Sequence, residues 1–238
     1  MKKESLSLAV ILYLAYFCIL PQAYAYEMEE FLPLRKGNRW LYSVAEGKDH
    51  YQLTAYVSEE VVAKNGRVVK VICTDNNLPQ SVAEYTFLIK PRGIFILEES
   101  DSSGSKVFSP YVPYLIKLPL NKLNKSRFNF LFCDKINNCV SGRGLIDLKL
   151  GAIEDVRGPA GFFKDCLRFD YVTEEFIGDS KSIINKCSDW YSRGMGKVKT
   201  LCFESVKENG SQGVVSTVSE ELLCSVVNGG ADNSCPKI

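Results

Sequence analysis

The side chains that could do chemistry in this sequence are nine cysteines, one histidine and a set of adjacent carboxylates. Cys18 sits within the apolar leader, which leaves Cys73, Cys133, Cys139, Cys166, Cys187, Cys202, Cys224 and Cys235 in the mature chain. An even number of cysteines in an exported chain points to disulfides. No Cys-x-x-Cys occurs and His50 is remote in sequence from every cysteine, so neither a zinc site nor a thiol-exchange motif is expected. Cys133 and Cys139 bracket the polar run Asp134 to Asn138 between two strand-like segments. A hairpin there brings them within bridging distance, and we expect them to pair, while the partners of the other six are left open.

Nucleophilic catalysis needs a base beside a serine or cysteine, and the chain offers one histidine, flanked by Asp49 and Tyr51 in an expected turn, and no Gly-x-Ser-x-Gly elbow. The pairs Glu29-Glu30, Glu59-Glu60, Glu98-Glu99, Glu174-Glu175 and Glu220-Glu221 do not read as a glycosidase dyad. Neighbours on a strand point to opposite faces, so these read as polar strand ends or edge charges. Gly142-Arg143-Gly144 and Gly194-Met195-Gly196 lack the spacing and the following helix of a phosphate loop. No catalytic residue, cofactor or metal ligand is nominated, and a non-enzyme is expected.

The elements that would position these groups begin with a leader. Lys2 and Lys3 precede the apolar stretch Leu6 to Leu20, and Pro21 and Ala23-Tyr24-Ala25 follow it. The stretch is shorter than the ~18 residues of a spanning helix and carries a small-residue cleavage pattern, so residues 1–25 are expected to be a signal peptide cleaved near Ala25. Phe17 before Cys18 argues against a lipid-attachment site. Cleavage brings the 29 basic and 28 acidic residues to 27 and 27. A neutral mature chain gives no electrostatic footprint for nucleic acid, and the short basic run Lys117 to Arg127 reads as a solvated loop. A periplasmic or secreted protein, peripheral to a membrane at most, is expected.

Beyond the leader, short apolar runs alternate and are punctuated by Gly, Asn, Asp and Pro. Trp40, Tyr42 and Val44 share one face, as do Tyr51, Leu53, Ala55 and Val57. Asn65-Gly66 is a strong hairpin signal before Val68 to Ile72. Tyr85 to Ile89, the turn Pro91-Arg92-Gly93 and Ile94 to Leu97 continue a meander. Pro110, Pro113 and Pro119 argue against a central strand between Phe108 and Leu120, which becomes the candidate junction, near 108–120, between two halves of one β-rich domain spanning 26–227. Strands follow at Arg127 to Cys133, Val140 to Leu150, Phe162 to Thr173, Ile183 to Tyr191, Val198 to Phe203 and Val214 to Cys224, and residues 228–238 form a loose tail. The expected fold is mainly β, with few short helices: an antiparallel meander sheet curled into an open half-barrel or a two-layer sandwich. In Trp190-Tyr191 one aromatic would be core and the other could line a ligand groove.

Three signatures, Phe31-Leu32-Pro33-Leu34 with Gly37, Trp40 and Tyr42, then Pro159-Ala160-Gly161-Phe162-Phe163 with Cys166, then Trp190-Tyr191 with Gly194, Gly196, Val198 and Lys199, resemble a group of exported bacterial proteins of unknown function close to the TapB-like family. That resemblance implies an antiparallel sheet wrapped into an open half-barrel, similar to periplasmic lipoprotein carriers. The leading expectation is an envelope protein binding an apolar ligand, lipid or lipoprotein-like, or a partner segment on a curved sheet. The alternatives are an assembly factor acting through a sheet edge, a periplasmic hydrolase and, fitted badly by eight cysteines and broken strands, an outer-membrane barrel.

Overall fold

The structure is a computed structural model and describes residues 27–78, 82–101, 104–117, 126–134, 140–178, 181–208, 211–231 and 235. The leader and much of the C-terminal tail lie outside the described residues. A one-turn helix, α1 (Met28–Phe31), precedes twelve long strands: β1 (Arg39–Glu46), β2 (Asp49–Ala63), β3 (Gly66–Asp75), β4 (Val82–Lys90), β5 (Gly93–Asp101), β6 (Gly104–Ile116), β7 (Ser126–Asp134), β8 (Val140–Gly158), β9 (Gly161–Ile177), β10 (Lys181–Ser192), β11 (Gly196–Glu208) and β12 (Ser211–Val227). A two-residue strand, β13 (Gly230–Ala231), adds to β12. Each strand pairs antiparallel with the next, as the turn signals require.

The open half-barrel and the two-layer sandwich are both overturned, because β1 also pairs with β12. Arg39 lies opposite Val226, Tyr42 opposite Leu222 and Glu46 opposite Val218, so the sheet closes into an up-and-down barrel of twelve strands. Closure leaves no long free edge on either strand, which an open sheet of this length would have to protect.

Alternation sends one side chain in two inward. Trp40, Tyr42, Val44, Val57, Val69, Phe87, Leu148, Phe169, Tyr191 and Leu222 fill one continuous core. Phe108, Val112, Phe130, Phe132 and Ile146 form a second cluster. Glycine explains how two phenylalanines fit there. Phe132 lies opposite Gly142 and Phe130 opposite Gly144, and a Cβ on Gly144 would stand 2.2 Å from the Phe130 ring, one on Gly142 1.9 Å from that of Phe132. The Gly142-Arg143-Gly144 run thus seats two rings against bare backbone.

One end of the barrel is stoppered by residues 27–38. Met28, Phe31, Leu32 and Leu34 are buried, and burying each such side chain is worth about 1.5–3 kcal/mol. Arg67 pins the stopper: its guanidinium donates to Leu34 O at 2.5 Å, to Glu60 at 2.7 Å and to Glu29 at 2.6 Å. Arg193 pairs with Glu30 at 2.7 Å and Lys117 with Glu27 at 2.8 Å, so the stopper is tied to strands on opposite sides of the rim. The indole N–H of Trp40 donates to Met195 O at 2.5 Å beneath it.

The expected break is corrected over Phe108 to Ile116, while Leu118 to Leu120 lie outside the described residues. β6 runs through Pro110 and Pro113 to Ile116. The prolines instead limit pairing on one side, since β6 pairs with β7 only over Lys106 to Ser109, opposite Asp134 to Leu131. Beyond Ser109 its pairing is with β5 alone, which is where proline is tolerated. His50 is likewise not in the turn but is the second residue of β2, exposed and opposite Ala45.

Candidate functional site

Two places concentrate unusual physics: the seam where β6 leaves β7, and a set of charges inside the barrel. At the seam, Pro110–Ile116 and Ser126–Phe130 face one another's strand without a ladder between them. Beside it a groove of about 560 Å³ is lined by Pro110, Asn129, Leu131, Arg143, Leu145 and Phe176. Leu131 is 59% exposed, and the Arg143 guanidinium lies 5.2 Å from the centre of the Phe176 ring. Apolar walls with one cation at the rim suit an acyl chain with a polar or anionic end.

Inside, Lys197 Nζ meets Glu220 at 2.5 Å, and Asp189 accepts hydrogen bonds from Thr200 Oγ1 at 2.8 Å and Tyr191 OH at 3.1 Å. Burial raises the Asp189 carboxyl above the usual range, with Lys197 and the two hydroxyl donors opposing. Burial also works against the Lys197 charge, yet Glu220, Tyr114, Asp189 and Tyr42 together hold its ammonium well above the ordinary lysine range. Burial pushes up Tyr42, Tyr85, Tyr114, Tyr171 and Tyr191, and takes the Cys73 thiol to about 12. Toward the other end of the barrel, Lys106 pairs with Glu175 at 3.0 Å and Glu99 at 3.2 Å. Burial raises Glu99, whereas for Lys106 the two glutamates outweigh burial and raise it. A cation that stays protonated and tyrosines that stay neutral make poor bases and nucleophiles. This lumen is a satisfied polar core in which each charge has a partner.

The adjacent carboxylates divide as strand geometry demands. Glu220 turns in to Lys197 and Glu221 out to Lys199 at 3.5 Å, while Glu99 meets Lys106 and Glu98 accepts from Ser105 Oγ at 2.8 Å. Among the described residues no cluster of three or more metal-ligating side chains occurs. Cys187 pairs with Cys202, directly opposite it across β10 and β11, and Cys224 with Cys235. Cys73 and Cys166 are thiols, the latter raised to about 11 by burial. Cys133 is disulfide-bonded, and Cys139 lies outside the described residues. Tyr191 is buried in the lumen. Trp190 points outward, donates to Glu154 at 2.6 Å and carries Lys199 5.8 Å from its ring centre.

The inner charges and the seam were not read from the sequence. Parity held a signal for the first: Asp189 shares its face with Tyr191 and Cys187, and Glu220 with Leu222. The outer wall is laced with ion pairs, Lys149–Asp170, Arg168–Glu154, Arg127–Asp147 and Lys70–Glu84, unlike the apolar band of a transmembrane barrel.

No family model matches this chain and no curated protein does. Two solved structures share its fold. One is a candidate lipoprotein from Parabacteroides distasonis, 19% identical, with a TM-score of 0.51 over 81% of this chain and 97% of that one. The other is a candidate exported protein with a YmcC-like fold from Bacteroides fragilis, 15% identical, with a TM-score of 0.50 over 82% and 98%. At these identities the likeness is one of fold. The disulfides are consistent with export.

Proposed function

We propose that this chain is an exported, non-enzymatic envelope protein, released to the periplasm after cleavage near Ala25, that holds an apolar ligand of lipid character in the groove beside the β6–β7 seam. The observation that carries the reading is the groove itself: about 560 Å³, within the range of small-ligand sites, against about 180 Å³ for the cavity beside Tyr85, Glu99 and Lys106 inside the barrel. Leu131, Leu145 and Phe176 would contact the chain, and Arg143 would face its polar end. Native mass spectrometry of protein purified from its own envelope is the test. A lipid-sized adduct on the wild type that Leu131→Asp lacks is expected. Bare protein that also fails to take up a fluorescent acyl probe would refute the reading.

A second reading rests on the seam rather than the groove. The unladdered stretches Pro110–Ile116 and Ser126–Phe130 could accept an extended segment of another protein by strand addition. A co-purifying chain in place of a lipid would favour it.

A further inference from the structure

Exposed apolar side chains occur toward both rims of the barrel, Leu78 and Val215 toward the far one, but at the stoppered rim they stand beside cations without ion-pair partners, the chemistry of a surface that meets a membrane. In an antiparallel meander the β2–β3, β4–β5, β8–β9 and β10–β11 turns all fall at one end, and that end is the stoppered one. Two of these turns carry large apolar side chains into solvent. Val61 and Val62, beside the β2–β3 turn, are 59% and 84% exposed, and Phe162, on the β8–β9 turn, is 51% exposed. With twelve strands in order these turns sit on opposite sides of the rim, so they define a plane across the barrel end rather than one sticky spot. Lys36, Lys64, Arg92, Arg157 and Lys164 are exposed at the same end, and none of the five forms an ion pair among the described residues. The carboxylates Glu27, Glu29, Glu30 and Glu60 are already taken by Lys117, Arg67, Arg193 and Arg35, which leaves Asp155 and Asp165 on the β8–β9 hairpin and Glu59, opposite Lys70, as the acids remaining nearby. The far rim carries more acids than bases, Glu46, Asp49, Asp75, Asp101 and Glu208 at its strand ends against Lys48, Lys181 and Lys207.

We propose that the stoppered end docks on an anionic lipid bilayer, with Val61, Val62 and Phe162 entering the headgroup–acyl boundary and the unpaired cations lying against lipid phosphates. Apolar burial supplies short-range attachment, and charge supplies orientation and anionic preference. The surface is distinct from the seam groove, which lies on the side wall.

The test is co-sedimentation of the mature protein with vesicles of phosphatidylcholine alone and of phosphatidylcholine containing phosphatidylglycerol. Binding to the anionic vesicles is expected, falling as salt is raised from about 0.1 to about 0.5 M. Val61→Asp with Val62→Asp, and separately Phe162→Asp, should weaken it about tenfold or more. Leu78→Asp, exposed at the far rim, and Leu131→Asp, in the seam groove, should leave it unchanged, which separates failure of this inference from failure of the ligand reading. If an apolar-tip variant loses its fold by circular dichroism, Lys64→Glu with Arg92→Glu asks the same question through charge alone. No binding to anionic vesicles, equal binding to both vesicle types, or binding untouched by the rim variants would overturn the proposal. So would a change of oligomeric state with the tip variants and no vesicle binding, which would assign the rim to a second copy.

Discussion

Replacing Gly144 by alanine tests whether glycine is selected there by the ring it faces. The added Cβ would lie 2.2, 2.5 and 2.8 Å from three carbons of Phe130, where contact between carbons is relaxed at about 3.5–4.0 Å. Phe130 has little freedom to retreat: it is 4% exposed and packs edge-on against Phe108 at 5.6 Å. Overpacking of this kind costs about 1–3 kcal/mol, while alanine recovers about 0.5–1 kcal/mol relative to glycine in a strand. The expected net loss is therefore up to about 2.5 kcal/mol, with about 1 kcal/mol central, read from the midpoint of a urea titration at unchanged slope. In a Phe130→Leu background the same substitution should become neutral or stabilising, giving a coupling of about 1–2 kcal/mol. An equal loss in both backgrounds would refute the account.

Other consequences are open to simple measurement. Trp40→Ala should cost about 3–5 kcal/mol, since it empties a core position and orphans Met195 O; His50→Ala, exposed on β2, should move stability by no more than about 0.5 kcal/mol and leave function intact. The buried tyrosines and Lys197 all have raised folded-state values, so the folded protein keeps protons that the unfolded chain releases from about pH 10 upward. Stability should accordingly fall above about pH 10, and a urea midpoint constant to about pH 11.5 would contradict that. Non-reducing peptide mapping should recover Cys133 linked to Cys139 and a mature N-terminus at Tyr26; linkage of Cys133 elsewhere would break the hairpin argument.

Local features of this fold were legible and global ones were not. The Asn65-Gly66 turn, the Pro91-Arg92-Gly93 turn and the inward face of Trp40, Tyr42 and Val44 follow from backbone preference and period-two alternation, and the structure has them. Closure rests on Arg39 meeting Val226, a pairing with no local signature, so a closed barrel and a curled open sheet read alike. Pro110 and Pro113 carried a valid message about missing donors, but it concerned one side of β6 rather than the strand's existence. The seam groove draws on Pro110, Leu131, Arg143 and Phe176, from four different strands, and such a surface exists only once register is fixed.

The β1–β12 closure also bears on how the chain assembles. Every other neighbouring pair of strands is joined by a single connection and can zip as a hairpin, with little loop entropy opposing it. The last pairing must find Val226 from Arg39 across nearly the whole chain, and Asn38 then accepts from Asn228 N–H at 2.9 Å just beyond it. A permuted gene that fuses the natural ends and opens the barrel at the β5–β6 turn would exchange the slow, distant contact for a local one. The same twelve strands would then search for their closure at a different pair, and refolding rates of the two versions would report the cost of that search apart from the stability of the barrel.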